Sequence, residues 1–315
     1  MTEKGSSSPM QVVDRATVAA SVSCSDALDA ARRAFHAVAD GEVDQPDQFE
    51  MRPRGGGEVH IKGAHLRGST VLCFKVATGD FPGAGPTGFT VVLDAGTGAA
   101  RWLLADDGLL TQMRTAAAGA LATMTLARPD ARRLLIVGSG DQARAQIHAH
   151  RAALPQLRVA VWGRDHAKTA ALATDVGAEP VDNLADAVAA TDIVVTATGS
   201  RTPLIQAKWV RPGTHVTAIG SDTAGKQELA ADLLALAEVV VCDDLSVASY
   251  AGELQHADRS VRARAVTLGE VLTDRRPGRT TDEQITVADL CGLGAQDAVI
   301  AEVVVARLHV GVHDR

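Results

Sequence analysis

Two kinds of residue are scarce in this sequence: aromatic residues make up 3% of its 315 positions, and there are four cysteines. The low aromatic content argues against an aromatic-cored β-sandwich and leaves alanine, valine and glycine to build helices and β-branched strands. Cys24, Cys73, Cys242 and Cys291 show no paired spacing of the zinc or redox kind, so we expect reduced, buried thiols of an intracellular protein. The ten histidines include no pair with acidic ligands at metal spacing, and we predict no metal site.

A surplus of positive charge is also missing. The net charge of -7 argues against a nucleic-acid binder, because phosphate contacts need an excess of lysine and arginine. No window approaches the roughly 18 uninterrupted apolar residues that a membrane span needs, and the opening residues MTEKGSSSPM lack the apolar core of a signal peptide. We therefore expect a cytoplasmic protein that acts on a small molecule and binds neither nucleic acid nor a membrane.

The length favours two domains, of which the first mixes helices and strands. Apolar residues at helical spacing predict a helix from Asp26 to Ala39. The runs EVHIKGAHL, STVLCFKVA and FTVVLD are typical of strands, and the alanine-rich LTQMRTAAAGALATMTLA is typical of a long helix. We predict a smaller α+β domain over residues 10–126 and 271–315, whose final apolar helix is buried against this domain or against another subunit.

From residue 127 the rhythm changes to alternating strands and helices. Short apolar runs such as RLLIVG, RVAVWG, DIVVTATG and HVTAIG suit strands that are buried on both faces of a parallel sheet. This α/β pattern predicts a doubly wound Rossmann domain over residues 127–270, inserted between the two parts of the first domain.

The stretch LLIVGSGDQA predicts a dinucleotide site. Gly138 permits the tight turn after a strand, and Gly140 lets a pyrophosphate approach the backbone at the start of a helix. Ala143 stands in for the third glycine, where helix and strand pack closely. A purely structural glycine turn is the alternative, but the strand, the helix and the next strand are all in place.

The end of the next strand, VWGRD, bears on the choice between NAD and NADP. An acidic residue there would favour NAD, whereas an arginine suits the 2′-phosphate of NADP. Arg164 can stack on the adenine and pair with that phosphate, while Asp165 can cap the next helix. We expect NADP or NAD, with NADP favoured.

Charged residues elsewhere have two interpretations. Lys75 lies in an apolar strand, where a lysine is costly unless its amine reaches water or a carboxylate. Arg114 lies on an alanine-rich helix, where surface ion pairs are the ordinary use of arginine. Asp222 and Lys226 follow the strand-like VTAIG in a glycine-containing loop, where charges are mostly solvated.

A series of motifs carries a family resemblance. The pieces RTAAAGALA, LLIVGSGDQARAQ, DIVVTATGSRTPLI, WVRPGTHVTAIGSDTAGKQEL, AGEL, LGEVL, PGRTTDEQITV and GLGAQD occur in order. From about residue 10 to the end, the chain resembles the ornithine cyclodeaminase/μ-crystallin family. The resemblance implies a substrate-binding and dimerisation domain beside a Rossmann domain, a nicotinamide cofactor and a homodimer.

The resemblance also implies roles for individual residues. Arg114 should bind the substrate α-carboxylate through two parallel hydrogen bonds, Asp222 matches the acid/base carboxylate, and Lys75 matches the catalytic lysine near the substrate. Further implied substrate contacts are Lys226, Gly292 and Arg52, for which Arg54 is an alternative because the loop length differs. The implied cofactor contacts are Thr115, Gly138, Gly140, Asp141, Gln142, Arg164, Thr198 and Gly220.

The sequence departs from the family pattern at two places. Many members read Met-Pro-Ala where this chain has HIKGAHL, so Lys62 stands at the substrate wall if it points inward and in solvent if it points outward. An inward lysine would suit a substrate with a second carboxylate. Leu290 replaces a small polar residue of the cyclodeaminase pattern, which weakens that interpretation.

These features leave three hypotheses. The first is an oxidoreductase that transfers hydride between NAD(P)H and an α-imino acid, with Asp222 as the acid at the imine nitrogen. The second is a cyclodeaminase-type lyase, which recycles bound NAD and releases ammonia from a diamino acid. The third is a nicotinamide-binding dimer without catalysis, which has no need of an acid/base carboxylate.

Overall fold

The structure is a computed structural model that describes residues 9–313. Two compact units divide the chain: unit 1 contains the described residues up to Arg114 and from Leu293 onward, and unit 2 is Thr115–Gly292. Unit 2 is thus longer at both ends than the predicted Rossmann segment 127–270.

The strands and helices follow one another closely along the described chain. The strands are β1 (Gln11–Asp14), β2 (Val43–Asp44), β3 (Phe49–Met51), β4 (Glu58–Leu66), β5 (Val71–Gly79), β6 (Thr87–Asp94), β7 (Ala100–Ala105), β8 (Arg133–Val137), β9 (Arg158–Trp162), β10 (Glu179–Pro180), β11 (Ile193–Thr196), β12 (Arg201–Ile205), β13 (His215–Ala218), β14 (Gln227–Leu229), β15 (Val239–Cys242), β16 (Val266–Thr267) and β17 (Thr286–Asp289). The α-helices are α1 (Arg15–Ala20), α2 (Cys24–Ala39), α3 (Leu109–Leu126), α4 (Asp141–Ala153), α5 (His166–Val176), α6 (Leu184–Ala189), α7 (Ala231–Leu236), α8 (Leu245–Ala248), α9 (Arg259–Arg264), α10 (Leu268–Leu272) and α11 (Gly294–His313). Short 3₁₀ helices cover Ala207–Trp209 and Glu253–His256.

Unit 1 is built on one sheet. Its strands run in the order β1-β7-β6-β5-β4-β2, with β3 also paired to β4. All of its pairs are antiparallel except β1 with β7. Helix α11 packs against α2 and against β4 and β5, which confirms that the apolar final helix is buried within its own domain. The side chains of β5 alternate accordingly: Val71, Cys73 and Lys75 are buried, while Phe74 between them is exposed.

Unit 2 contains a parallel sheet of order β10-β9-β8-β11-β13-β17-β15-β16. Strands β11, β13 and β17 are buried along their whole length, as expected when helices cover both faces. The sheet order reverses between β8 and β11, so their carboxyl ends form the switch point at which doubly wound folds bind ligands. The predicted doubly wound α/β fold is confirmed.

Pairing in the sheet explains why unit 2 extends past residue 270. Strand β17 lies between β13 and β15 in the sheet, so the segment that carries it cannot be separated from the other strands. The later part of α3 belongs to unit 2 for a similar reason, because the Oγ1 atom of Thr123 lies 2.9 Å from Nε2 of buried His150 on α4.

The structure also bears on membrane-spanning helices and on the cysteines. Within the described residues, no helix is long and apolar enough to cross a membrane. All four cysteines are described and none forms a disulfide, but Cys24 is exposed at the start of α2 while the other three are buried. The expectation of a buried thiol was therefore wrong for Cys24, which is the first residue of α2 and lies next to exposed Ser25.

Candidate active site

Unit 1 contains a buried cluster of charged side chains. The Nε atom of Arg114 donates to Oδ1 of Asp297 at 2.9 Å, and the Nζ atom of Lys75 lies 3.3 Å from Oδ2 of the same carboxylate. The Nη1 atom of Arg114 also lies 3.5 Å from Oε1 of Gln296. All four residues are buried, so one carboxylate holds two cations at a site largely closed to water.

Three elements bring this cluster together. Lys75 points inward because it falls in the buried alternation of β5, and Arg114 lies in the second turn of α3. Asp297 lies in the first turn of α11, which begins directly against β4. A Cβ atom on Gly294 would stand 2.5 Å from the carbonyl oxygen of Gly63, so glycine is needed for this close approach.

Lys62 belongs to the same face of the sheet. It is paired directly with Lys75 across β4 and β5, and directly opposed residues of an antiparallel pair project to the same side. Lys75 faces α11, so the side chain of half-buried Lys62 is on the α11 side too. Lys62 therefore projects to the α11 side of the sheet, and a contact between Lys62 and substrate stays a prediction.

Burial and charge shape the titration of this cluster. Burial lowers the pKa of Lys75 to about 7, opposed by Asp297 and assisted by the charges of Arg114 and Lys62. Burial alone would raise the pKa of Asp297, but Arg114, Lys75 and Lys62 together hold it below its usual value. Lys75 can therefore gain or lose its proton near neutral pH, while Asp297 stays ionised.

Arg52 lies in a different ion-pair group. Its Nε atom is 2.5 Å from Oε1 of Glu50, and its Nη2 atom is 3.0 Å from Oε2 of Glu58. Among the described residues, Glu50, Glu58 and His60 also form the one group of ligand atoms close enough to hold a metal ion. Because Arg52 already forms ion pairs with both carboxylates, the predicted absence of a metal site remains our interpretation. Arg54 follows Arg52 in the same exposed turn.

Unit 2 contains a cavity of about 430 Å³ at the switch point of its sheet. Its walls include Gly138, Gly140, Arg164 and Thr198. Gly138 has φ 138°, and a Cβ atom there would stand 2.5 Å from the carbonyl oxygen of Ala197. The fingerprint thus takes the strand-turn-helix form that the sequence predicts.

The start of α4 suits an anionic group. Its N-cap is Gly140, which supplies no side-chain acceptor for the first N–H groups, and a Cβ atom on Gly140 would meet nothing within 4 Å. Asp141 and Gln142 are the first residues of the helix. These backbone donors, together with the helix dipole, fit a pyrophosphate.

The residues that follow β9 border the same cavity. Asp165 caps α5 by accepting from the N–H of Lys168 at 3.0 Å, so the capping role considered for it is the observed one. Arg164 is exposed and borders the cavity, as does Lys168. Two cationic side chains and the carboxylate of Asp165 therefore border the cavity at the end of β9.

The loop after β13 carries the candidate acid/base pair. The Nζ atom of Lys226 donates to Oδ1 of Asp222 at 2.7 Å, and the hydroxyl of Thr223 donates to the same oxygen at 3.2 Å. The loop is tied down from Gln255, whose Oε1 accepts from the N–H of Gly225 at 2.8 Å. Gly225 has φ 80°, which favours glycine.

A buried carboxylate that the sequence analysis did not single out fixes the base of this loop. Glu228 on β14 accepts four hydrogen bonds of 2.7 Å, from the hydroxyls of Thr196 and Thr198 and from the N–H groups of Thr198 and Gly220. A Cβ atom on Gly220 would overlap the carbonyl oxygen of Thr198. Glu228 therefore joins the carboxyl ends of β11 and β13. The backbones at Thr198 and Gly220, which follow these strands, lie in close contact.

Two more buried acids, Glu253 and Asp289, bond to the backbone of Glu228 and of the segment next to it. Glu253 accepts from the N–H groups of Glu228 and Leu229 at 2.7 and 3.1 Å, and Asp289 accepts from the N–H of Leu254 at 2.9 Å. Burial raises the pKa of Glu253 to about 8 and that of Asp289 to about 7, and burial also raises the pKa of Glu228 against its four hydrogen bonds. The carboxyl groups of Glu253 and Asp289 thus accept hydrogen bonds from backbone N–H groups near the loop.

The remaining predicted residues, Thr115 within α3 and Gly292 after β17, belong to unit 2. The carbonyl of Thr115 accepts from Nε2 of Gln146 at 3.2 Å. Gly292 follows β17 with φ 87°, and its N–H donates to Oδ2 of Asp243 at 2.5 Å. Asp297 and Glu228 were missed as functional candidates although the quoted motifs GLGAQD and KQEL contain them, because nothing in either motif shows what its acid contacts.

The parallel sheet with a glycine fingerprint at its switch point defines a dinucleotide-binding protein. Unit 1 adds a buried cationic cluster of the kind that binds a small carboxylate. The chain belongs to the ornithine cyclodeaminase/mu-crystallin family, whose model matches residues 9–311. The predicted family is therefore confirmed.

Relatives cover nearly the whole chain. An uncharacterised cyclodeaminase of Sinorhizobium fredii (strain NBRC 101917 / NGR234) is 38% identical over 293 residues, which are 88% of each chain. A solved archaeal alanine dehydrogenase dimer with bound NAD has a TM-score of 0.84 at 28% identity and covers 94% of both chains. The solved iminosuccinate reductase of Paracoccus denitrificans in complex with NAD⁺ has a TM-score of 0.87 at 28% identity and covers 96% of this chain and 98% of that one.

Proposed function

We propose that the protein is an NAD(P)-dependent oxidoreductase that interconverts an α-imino acid and the corresponding α-amino acid. The observation that carries this proposal is the buried Lys75–Arg114–Asp297 cluster, a carboxylate-binding arrangement in a chain that also has a dinucleotide fingerprint. The names of the two solved relatives, an alanine dehydrogenase and an iminosuccinate reductase, support the same chemistry.

In this proposal unit 1 binds the substrate carboxylate. Asp297 engages Nε of Arg114, which leaves donors of the guanidinium for the substrate. Lys75 adds a charged hydrogen bond while its amine is protonated. Arg52 contributes to binding only by exchanging one of its two glutamate partners for substrate. Fixing the carboxylate orients the adjacent carbon for reaction.

Unit 2 would hold the cofactor and manage the proton. Gly138, Gly140 and the first N–H groups of α4 fit the pyrophosphate, and the bound nicotinamide supplies or accepts hydride. In reduction, hydride adds to the imine carbon and a proton goes to nitrogen; in oxidation both leave. Asp222 returns the nitrogen proton in reduction and accepts it in oxidation, and exchanges it with solvent between turnovers. The ammonium of Lys226 donates a hydrogen bond to the carboxylate form of Asp222. Thr115, Asp141, Gln142, Thr198, Gly220 and Gly292 remain our proposed contacts as predicted.

A direct assay tests the function. We expect oxidation of NADH or NADPH with at least one of pyruvate plus ammonia, a cyclic ketimine, or oxaloacetate plus ammonia. NADPH should be preferred, because Arg164 and Lys168 border the cavity beside the predicted ribose position. No oxidation of either cofactor with any of these substrates would refute the proposal.

The cyclodeaminase relative supports a second candidate, a lyase that uses bound NAD and releases ammonia. The same protein should then release ammonia from ornithine or lysine without a net change in nicotinamide absorbance. That outcome would select the lyase over the reductase.

The near-neutral pKa of Lys75 predicts the pH dependence of the reaction. Lys75 is an ammonium below about pH 7 and neutral above it, so kcat/KM should fall about tenfold per pH unit as pH rises past 7. Lys75→Arg keeps its charge throughout this range and should lack that limb of the profile. Any titration of the substrate itself affects the wild type and Lys75→Arg equally. An identical limb in both would show that Lys75 is not the titrating group.

We also propose a homodimer formed through the sheet of unit 1. Two cross-strand rows cover the face away from α11: Phe49, Ile61, Val76 and Phe89 in one, and Phe74, Val91, Leu103 and Val12 in the other. Val12, Phe49, Phe74 and Phe89 are exposed, which makes a large apolar patch of the kind that marks an interface.

This proposal predicts that a charge on the patch breaks the dimer. Phe74→Lys should sediment as a monomer at concentrations where the wild type is a dimer, because the lysine would be buried without a partner. Phe81→Lys, in the turn after β5, is the matched control and should stay dimeric. A wild-type protein that sediments as a monomer would overturn the proposal.

A further inference from the structure

On the α11 side of the unit 1 sheet, Lys62 is a hydrogen-bond donor in addition to Lys75 and Arg114, the two residues proposed to bind the substrate α-carboxylate. Lys62 stands directly opposite Lys75 across β4 and β5, and its charge affects both Lys75 and Asp297. An ammonium offers three donors, so Lys62 can bind a ligand oxygen in addition to a protein group.

The side-chain amide of Gln296 is another donor of this cluster. Gln296 is 1% exposed, and its Oε1 accepts from the N–H of Leu293 at 2.9 Å. Its Nε2, by contrast, is buried without a hydrogen-bond partner in the described structure. A buried amide donor left in this state is costly unless a ligand oxygen completes it.

The chemistry of these donors discriminates among substrates. A diamino acid would bring a second ammonium to a site that already contains Lys62, Lys75 and Arg114, and like charges repel. A short apolar side chain would leave the amide of Gln296 unsatisfied. A second carboxylate offers acceptor oxygens of the kind that both an ammonium and an amide N–H bind.

We propose that unit 1 binds a dicarboxylate: an α-imino or α-amino acid whose side chain ends in a second carboxylate, which Lys62 and Gln296 recognise. The inference rests on the proposed function, because Arg114 and Lys75 must take the α-carboxylate. Lys62 is then a specificity-determining residue: its positive charge favours dicarboxylates and disfavours diamino acids.

Ligand binding provides a test that does not depend on turnover. Calorimetry with succinate and with propionate should show tighter binding of succinate by the wild type. Lys62→Met should lose most of that difference, about 10- to 100-fold, and Lys62→Arg should retain part of it. Arg67→Met, which removes a charge just beyond the end of β4, is the matched control and should behave as the wild type. Equal binding of succinate and propionate by the wild type would overturn the inference.

Turnover separates this inference from the proposed function. The wild type should use oxaloacetate plus ammonia with a higher kcat/KM than pyruvate plus ammonia, and Lys62→Met should lower the first by a larger factor than the second. Turnover of pyruvate plus ammonia without a preference for the diacid would leave the proposed function standing and refute the inference. Succinate binding without turnover of any imino acid would support the dicarboxylate site and refute the proposed function.

Discussion

An Asp222→Asn variant should lose turnover by a factor of about 10²–10⁴ while it binds NAD(P)H as the wild type does. The amide keeps the size of the side chain and an acceptor for Lys226, which donates to Asp222 at 2.7 Å. It can no longer take up and return a proton, and positioned acid/base groups contribute about this much to a rate. The measurements are kcat for imine reduction and cofactor affinity from quenching of protein fluorescence.

The matched control for Asp222→Asn is Asp232→Asn. Asp232 is an exposed carboxylate in the first turn of α7, so its loss removes the same charge from unit 2 without touching the loop after β13. We expect its kcat to be unchanged. If Asp222→Asn retained full kcat in both directions, the acid/base assignment would have to move to another residue, with Lys75 the next candidate.

Glu228→Gln should destabilise the protein and lower kcat together. All four hydrogen-bond partners of Glu228 are donors, and glutamine offers one acceptor oxygen and one NH₂ group. Hydroxyl groups can rotate away, but the N–H of Thr198 or of Gly220 would then face the NH₂ group. A buried backbone donor left without an acceptor costs about 1–3 kcal/mol of unfolding free energy.

A second glutamate provides the control for Glu228→Gln. Within the described residues, the carboxylate of Glu238 accepts one hydrogen bond, from the N–H of Ile285 at 2.8 Å, and a glutamine carbonyl can replace that acceptor. Glu238→Gln should therefore leave both the unfolding free energy and kcat close to the wild-type values. Denaturant unfolding and steady-state rates measure the two variants. Wild-type stability and kcat in Glu228→Gln would show that the four bonds do not hold the loop.

Local patterns were sufficient to predict the fold. The glycine fingerprint at Gly138 and Gly140, and the apolar runs of β8, β11 and β13, depend only on residues near one another in sequence. Physical constraints of this kind leave one architecture, because strands buried on both faces need helices on both sides. The family motifs then extended the prediction to the whole chain.

Long-range contacts account for what the sequence did not reveal. Lys75 and Asp297 are far apart in the sequence, so no local pattern predicts that they form an ion pair. The direction of Lys62 depends on the register of β4 against β5, which a one-residue slip would reverse. The four bonds to Glu228 join two strands and a loop, and each depends on the finished sheet.

The order of synthesis has a consequence for the cluster in unit 1. Lys75 and Arg114 leave the ribosome before all of unit 2, whereas Asp297 follows it. Unit 2 is one continuous segment, so it can form as soon as its own residues have emerged, because domains generally fold as units during synthesis. The cations of β5 and α3 are synthesised before the carboxylate on α11, so the nascent chain has an incomplete Lys75–Arg114–Asp297 cluster at a stage when unit 2 can already be folded.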